Sequence, residues 1–242
     1  MIDLKGKSIL ITAAATRTGA AMTRYLITKG ADIFMVYRNN REGIDEIMNQ
    51  FPQAKCFALQ ADVTDPEQVE RMKNQIMEQT GQLYSLINVV GDYHEAPILD
   101  TDYEDFRGVI SNNLDSVFLM CKHFHPLLKA QGNSRIINFA YAYGDRVAAA
   151  KPFAYHIAKM GVISLTKSMA RQWGGDGISA NVISPGHLFN SIVMESDNPE
   201  DMIPQGRFGS YEDIFYLLDM ILREDSQYMT GSNLVSSGGY NL

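Results

Sequence analysis

A tyrosine and a lysine four residues apart, Tyr155 and Lys159, form the pair in this sequence best suited to acid–base chemistry. The spacing places both side chains on one face of a predicted helix. Because a tyrosine with a pKa near ~10 is a poor acid–base catalyst at neutral pH, we expect the lysine cation to lower the pKa of Tyr155. The same spacing recurs at Tyr25 and Lys29, which we interpret as an amphipathic surface turn.

A second candidate is the loop TAAATRTGA, which follows the first predicted strand and leads into the first predicted helix. Backbone N–H groups at a helix N-terminus bind anions, so the position suits a pyrophosphate. The loop contains one glycine, Gly19, where a nucleotide-binding loop usually has several. An ordinary strand-to-helix turn that needs Gly19 only for close packing therefore remains an equal alternative.

Short apolar runs alternate with amphipathic segments along the whole chain. The runs are too short for helices and are mostly β-branched or aromatic, which predicts strands. They are 8–12, 33–37, 56–59, 85–90, 135–140, 178–183 and 233–237. The alternation predicts an α/β fold with a seven-stranded parallel sheet flanked by helices. Without a linker or repeat, residues 1–242 are expected to form one domain.

Three helix starts are predicted from capping residues. Thr101 with Glu104 and Ser210 with Asp213 have the spacing of capping boxes, and Asp65 precedes a proline at a first helical position.

Composition excludes several classes of function. The 242 residues carry a net charge of -7, with lysines and arginines scattered, so a nucleic-acid partner is not expected. No apolar stretch is long enough to cross a bilayer and no signal sequence is evident, which predicts a cytoplasmic protein without a membrane partner. The two cysteines, Cys56 and Cys121, lack metal-ligand spacing, so no metal site is expected.

The order of the motifs resembles the short-chain dehydrogenase/reductase family over almost the whole chain. The landmarks are the loop at 12–19, "AD" with Val63, "NVVG" at Asn88, "NNLDSVF" with Asn113, YxxxK at Tyr155, "NVISPG" and "TGSNLVSSGGYNL". The resemblance implies a Rossmann-like doubly wound sheet and a homotetramer or homodimer formed through the long helices. It also implies that Tyr155 donates a proton, that Lys159 holds the nicotinamide ribose, and that Asn113 keeps a water beside the lysine. The positive nicotinamide ring would lower the pKa of Tyr155 further.

The same resemblance assigns a set of nucleotide-binding positions. Asn190 stands where the family usually holds the nicotinamide carboxamide, with Ser191 as its alternative. The full set is Thr12, Ala14, Arg17, Thr18, Arg38, Asp62, Val63, Asn88, Val89, Tyr155, Lys159, Pro185, Gly186, Leu188 and Asn190.

Two departures from the family pattern bear on the cofactor. Ala13 and Arg17 occupy the first two glycine positions of the usual loop, and the arginine is similar to that of the pteridine reductase branch. At the end of the second strand, where NAD enzymes usually place an acid, the chain has Tyr37 and Arg38, with nothing acidic expected to repel a 2′-phosphate. Arg38, with Arg17 across the loop, therefore predicts NADP(H) as the cofactor.

A third departure concerns the family's catalytic serine. Its place is taken by Tyr141, or by Ala142 if the spacing is counted back from Tyr155. The loss of this serine makes ordinary alcohol and ketone chemistry less expected, and Tyr141 is a candidate replacement for the missing hydroxyl donor.

These observations predict an NADPH-dependent reductase acting on a carbonyl or a conjugated C=N or C=C bond of a small molecule. Tyr93 and His187 are the candidate substrate residues, Tyr93 as a flat face for a planar ring. One alternative is a 3-oxoacyl-(acyl-carrier-protein) reductase, for which only Arg135, Arg146 and Lys151 are candidate carrier-binding charges. Another is a catalytically weak, nucleotide-binding regulatory protein. Residues 187–204 are expected to form a substrate lid.

Overall fold

The computed structural model describes residues 2–142, 152–191, 198, 201, 203–240 and 242. Seven parallel strands form one sheet in the order β3-β2-β1-β4-β5-β6-β7, which confirms the predicted fold class. The strands are β1 Ser8–Ile11, β2 Asp32–Tyr37, β3 Cys56–Gln60, β4 Ser85–Asn88, β5 Ser134–Phe139, β6 Ile178–Pro185 and β7 Asn233–Ser236. The chain reverses its direction of winding between β1 and β4, and such a switch point places a crevice at the carboxyl ends of the strands.

Helices connect the strands and cover both faces of the sheet. They are α1 Arg17–Thr28, α2 Arg41–Gln50, α3 Pro66–Met77, α4 Tyr103–Ile110, α5 Ser116–Gln131, α6 Phe153–Trp173 and α7 Tyr211–Ile221. Two large clusters of buried apolar side chains lie against the two faces of the sheet. Among the described residues, no helix combines the length and apolar character required to span a bilayer.

Two of the three predicted helix starts are confirmed. Asp65 accepts hydrogen bonds from the first-turn N–H groups of α3, and Ser210 and Asp213 form a reciprocal capping box on α7. The prediction for Thr101 is wrong, because α4 begins at Tyr103 and its cap residue, Asp102, makes no capping bond. The Thr101 hydroxyl donates instead to the Pro97 carbonyl at 2.9 Å, which closes the preceding turn.

Helices α4 and α5 are joined by a π-helical segment, Ser111–Asp115, so they continue one another through one widened turn. Wider turns leave backbone groups that a regular helix would pair, and they occur often at functional sites. Asn113 lies in this segment and is fully buried.

Arg135, one of the three candidate carrier-binding charges, is a buried structural residue, and that candidacy is therefore wrong. Its side chain has 0% exposure at the start of β5, the end of the strand opposite the crevice. The guanidinium donates to backbone carbonyls around the C-terminus of α7, including Ile221 at 3.0 Å and Arg223 at 2.8 Å. It satisfies carbonyls that a helix end leaves without intrahelical donors.

Candidate active site

The crevice holds a cavity that combines most of the residues predicted for catalysis. Residues from six separate parts of the chain line it, and β4, β5 and β6 end beside it. The lining comprises Arg17, Thr18, Val89, Gly91, Asp92, Tyr93, Asn113, Phe139, Ala140, Tyr155, Lys159, Pro185 and Leu188. A second cavity adjoins it through Gly91 and Asp92 and extends past the end of β2, where Arg38, Asp62 and Val63 line it.

Tyr155 and Lys159 face each other on α6, as their spacing predicts. The Lys159 ammonium lies 5.4 Å from the centre of the Tyr155 ring and donates to the Phe139 carbonyl at 3.0 Å. Lys159 is buried, and the cost of burying its charge lowers its pKa to about 8, against an opposing contribution from Asp92.

The expected effect of the lysine on Tyr155 is not observed in the protein alone. Burial raises the pKa of Tyr155 above its ordinary value, with a smaller contribution from Tyr93 in the same direction. The loss of hydration for a phenolate therefore exceeds any stabilisation by Lys159. The raised pKa keeps Tyr155 protonated, and the protonated tyrosine is the form that donates a proton. Lys159 can therefore still support Tyr155 as a proton donor.

Hydrogen bonds from the amide nitrogen of Asn113 set the orientation of its side chain. Nδ2 donates to the Val109 carbonyl at 3.0 Å and to the Asp92 carbonyl at 3.0 Å, while Oδ1 is buried without a hydrogen-bond partner among the described residues. A Cβ placed on Gly91 would lie 2.5 Å from this Oδ1 and 3.2 Å from the Lys159 ammonium. The space beside Gly91 is thus close to both Asn113 Oδ1 and the Lys159 ammonium. A buried acceptor such as this Oδ1 usually has a ligand or water as its partner.

The loop before α1 keeps the backbone shape of a glycine-rich loop although two glycine positions have side chains. Ala13 and Arg17 have φ angles of 51° and 42°, in the left-handed region that non-glycine residues adopt only at an energetic cost. Only glycine fits at position 19, because a Cβ there would lie 2.1 Å from the Ala13 carbonyl oxygen. Thr16, the cap residue of α1, makes no side-chain capping bond, so the first-turn N–H groups are available to an anion.

Arg38 lies at the end of β2, and its guanidinium is 3.5 Å from the Asp62 carboxylate. The expectation that nothing acidic stands near this site is wrong, since Asp62 reaches it from the end of β3. Thr64 donates two hydrogen bonds to Asp62 Oδ1, which with Arg38 hold the pKa of this carboxyl below its usual value. Arg38 remains 60% exposed and is therefore accessible to a second anionic partner.

The two arginines that predict NADP(H), Arg38 and Arg17, line different cavities. Arg17 belongs to the cavity around Tyr155, whereas Arg38 belongs to the one beyond β2.

Several predicted nucleotide-binding residues form the base of the site instead of its lining. The Thr12 hydroxyl accepts from the N–H groups of Val89 and Val90 at 2.8 and 3.1 Å, which ties β1 to the loop after β4. The Asn88 amide donates to Asn138 on the neighbouring strand at 2.8 Å. The Ala14 N–H is bonded to the Val36 carbonyl at 3.1 Å. These residues hold the strand ends that carry the cavity.

Two other tyrosine rings lie close to the ring of Tyr155. Tyr93 packs edge-on against Tyr155 with ring centres 5.2 Å apart, and Tyr141 lies 5.8 Å from the same ring. The two tyrosines that sequence comparison singled out thus both contact the catalytic candidate.

The remaining predicted residues lie in the segment that follows β6. His187 packs against Tyr240 at 4.6 Å and lines a small cavity that shares no lining residue with the other two, and Gly186 precedes it. The Asn190 amide donates to the Tyr211 hydroxyl at 2.9 Å, and the Ser191 hydroxyl accepts from the Leu188 N–H.

Parts of the predicted lid, and two of the three candidate carrier-binding charges, lie outside the described residues. Within the lid, 187–204, these are residues 192–197, 199, 200 and 202. The two charges are Arg146 and Lys151. Among the described residues, no cluster of three or more His, Cys, Asp or Glu side chains is arranged to hold a metal ion.

The sequence pattern did not identify as site residues two residues that line both cavities, Gly91 and Asp92. Both directly follow the "NVV" of the fourth strand, so proximity to a strand end was the available signal. It also missed Asn39 and Asn40, which line the cavity beside Arg38.

Comparison with known proteins gives the family. A family model described as "Enoyl-(Acyl carrier protein) reductase" matches residues 13–241. A tropinone reductase homologue of Arabidopsis thaliana is 31% identical, covering 98% of this chain and 92% of the relative. The chain belongs to the short-chain dehydrogenase/reductase family. It is therefore an oxidoreductase of this family, whose members act on small molecules.

Relatives of different activity are comparably similar to this short-chain reductase. A D-threitol dehydrogenase of Mycolicibacterium smegmatis is 29% identical, covering 99% of this chain and 94% of the relative. A 3-oxoacyl-(acyl-carrier-protein) reductase of Staphylococcus aureus is also 29% identical, with coverage of 96% and 97%. Among solved structures, a metagenomic blue fluorescent protein in complex with NADPH has a TM-score of 0.90 at 25% identity, covering 99% and 100% of the two chains.

Proposed function

We propose that this protein is an NADPH-dependent reductase of a carbonyl or of a conjugated C=N or C=C bond in a small molecule. The observation that carries the proposal is the cavity in which Tyr155, Lys159 and Asn113 meet the uncapped N-terminus of α1. The second cavity, lined by Arg38, continues from it and gives room for an extended dinucleotide. The nicotinamide, when bound, would supply the hydride.

The residues present fit such a dinucleotide at three places. The first-turn N–H groups of α1 suit its pyrophosphate, and Gly19 allows the loop to lie against the start of α1 because it has no Cβ to meet the Ala13 carbonyl oxygen. Lys159 and the unpartnered Oδ1 of Asn113 suit a ribose hydroxyl and a bridging water. Arg38 suits a 2′-phosphate.

In the proposed reaction Tyr155 donates its phenolic proton to the substrate oxygen or nitrogen. Burial keeps the phenol protonated before the reaction, because it raises the pKa of Tyr155. The nearby Lys159 cation stabilises the phenolate that forms when the proton leaves. A water held by Asn113 Oδ1 would connect Lys159 to solvent, so that a proton can return to Tyr155.

Arg38→Asp is expected to remove or invert a preference for NADPH. We predict that the unmodified protein binds NADPH at least about tenfold more tightly than NADH, about 1.4 kcal/mol, because one charge-assisted phosphate pair supplies this much. The Asp62 carboxylate beside Arg38 repels a 2′-phosphate and so reduces the affinity gained for NADPH. The preference for NADPH therefore depends on the positive charge of Arg38. Titration of both nucleotides by cofactor fluorescence measures it.

Arg41→Gln is the matched control for Arg38. Its guanidinium is paired with Asp45 at 2.8 Å, one turn along α2, so its loss should leave the preference unchanged. Equal affinities for NADPH and NADH in the unmodified protein would refute the cofactor assignment.

For the substrate, we propose a planar, polar, conjugated compound such as a dihydropterin. Supporting this, Tyr93 and Tyr141 lie against Tyr155, and aromatic faces favour flat rings over flexible acyl chains. Arg17, at the glycine position where pteridine reductases also have arginine, lines the same cavity and can donate to a heterocycle.

Tyr93→Ala should lower kcat/KM for planar substrates by about tenfold, since one aromatic contact contributes about 0.5–1.5 kcal/mol beyond its buried area. NADPH oxidation with dihydropterin, quinonoid and 3-oxoacyl thioester substrates measures it. Tyr228→Ala is the control, because Tyr228 is a fully exposed tyrosine between α7 and β7 and lines neither cavity.

A 3-oxoacyl thioester reductase is the second candidate, favoured by the similarity to the Staphylococcus aureus enzyme. Efficient reduction of the thioester, inactivity toward planar compounds and no effect of Tyr93→Ala would establish it in place of the planar-substrate proposal. NADPH binding without turnover of any substrate in the panel would favour the regulatory alternative.

We also propose assembly as a homodimer or homotetramer through the α4–α5 and α6 surface. In support, Phe118 on α5 and Ile157 on α6 are each 47% exposed, so both leave apolar surface that contact with a second copy would cover.

A further inference from the structure

Asp92 lies at the point where the two cavities meet. It follows Gly91 after the end of β4 and lines both the cavity beside Arg38 and the one around Tyr155. Its carboxylate accepts from Asn112 Nδ2 at 2.7 Å through Oδ2 and from Asn113 Nδ2 at 3.2 Å through Oδ1. Its backbone carbonyl accepts from the same Asn113 nitrogen at 3.0 Å.

These contacts determine which way the Asn113 amide points. A carboxylate and a carbonyl are acceptors only, so the three oxygens around Nδ2, two from Asp92 and one from Val109, select the donor end of the amide. A flipped amide would place Oδ1 against those oxygens and lose every bond. With Nδ2 held, Oδ1 faces the point beside Gly91 that also lies close to the Lys159 ammonium.

Asp92 also supplies negative charge beside a buried cation. Among the described residues, the titratable side chains lining this cavity with Lys159 are Tyr155 on the same helix, Tyr93 and Asp92 after β4, and Arg17 at the start of α1. Asp92 is the carboxylate in that set, and Arg17 has the opposite effect on a cation. Asp92 raises the pKa of Lys159 while burial lowers it.

We propose that Asp92 is a positioning residue for the Tyr155–Lys159 pair, which orients Asn113 toward the lysine and keeps Lys159 positively charged. Its catalytic consequence rests on the proposed function, whereas its effect on the lysine does not. Only the positively charged form of Lys159 supports Tyr155. Activity therefore declines as the pH rises above the pKa of Lys159, which lies at about 8.

Two substitutions separate the two effects. Asp92→Asn keeps an oxygen that can accept from Asn113 and removes the charge, whereas Asp92→Ala removes both. The Lys159 titration is followed by the 13Cε chemical shift in labelled protein, assigned by comparison with Lys159→Arg. In Asp92→Asn we expect its midpoint to fall by at least about 0.5 pH unit, with the basic limb of the kcat profile moving in the same direction.

Asp115→Asn is the matched control, because it makes the same change of charge close to Asn113 in sequence. Asp115 pairs with Arg107 at 3.6 Å and lines neither cavity, so the lysine midpoint should stay within about 0.1 pH unit of the unmodified value. Asp92→Ala should in addition lower kcat by about tenfold, with NADPH affinity changed less than about threefold, because Asn113 Nδ2 loses the carboxylate oxygen and keeps only the backbone carbonyls of residue 92 and Val109 as acceptors.

Equal Lys159 midpoints in Asp92→Asn and Asp115→Asn would overturn the proposal. The titration needs no turnover, so a protein that reduces nothing in the substrate panel but shows the midpoint shift would refute the proposed function and retain the role of Asp92.

Discussion

Tyr155→Phe is expected to lower kcat by about 10²–10⁴-fold on any substrate that the protein reduces. The substitution removes the phenolic oxygen that donates the proton and leaves the ring, which packs against Tyr93 and Tyr141. Because one hydroxyl contributes little binding surface, the dissociation constant for NADPH should change by less than about threefold. Steady-state NADPH oxidation and a fluorescence titration of the same variant measure the two quantities.

Tyr25→Phe is the matched control, since Tyr25 has the same YxxxK spacing on α1. Its hydroxyl donates to Asp219 at 2.7 Å and its ring stacks on Phe215 at 4.1 Å, so it joins α1 to α7 away from both cavities. We expect a loss of about 1 kcal/mol in the free energy of unfolding and little change in kcat. Equal losses of turnover in the two variants would show that the wrong tyrosine had been chosen.

Gly19→Ala is expected to weaken nucleotide binding by about 100-fold or more. The new Cβ would lie 2.1 Å from the Ala13 carbonyl oxygen, so the loop or the first turn of α1 must move. That movement misplaces the N–H groups proposed to bind the pyrophosphate, and hydrogen bonds to charged groups contribute about 1.5–3 kcal/mol each. Ala13 already has a φ of 51°, so the loop has little freedom to adjust. Fluorescence titration with NADPH tests the prediction.

Gly81→Ala is the control for the glycine substitution itself. A Cβ at Gly81, in the segment between α3 and β4, would meet no atom within 4 Å. Its NADPH affinity should match that of the unmodified protein. Tight NADPH binding by Gly19→Ala would mean that the nucleotide does not bind across this loop.

The sequence alone determined the architecture and the central pair of the site. Short β-branched runs alternating with amphipathic segments predicted all seven strands, because burying both faces of a parallel sheet requires this pattern. The spacing of Tyr155 and Lys159 predicted a shared face, since helix geometry is local and does not depend on the rest of the fold. The position of the first loop predicted a helix N-terminus facing the crevice for the same reason.

The tertiary structure decided how residues from distant parts of the chain act on one another. Asp62 meets Arg38 because β3 pairs with β2, and Asp92 meets Asn113 because the loop after β4 packs on the π-helical segment. Arg135, a surface candidate in the sequence, is buried because the end of α7 lies over the start of β5. Burial also reversed the expected direction of the Tyr155 pKa shift. Hydration and charge interactions depend on distances through space, which residue type and spacing along the chain do not specify.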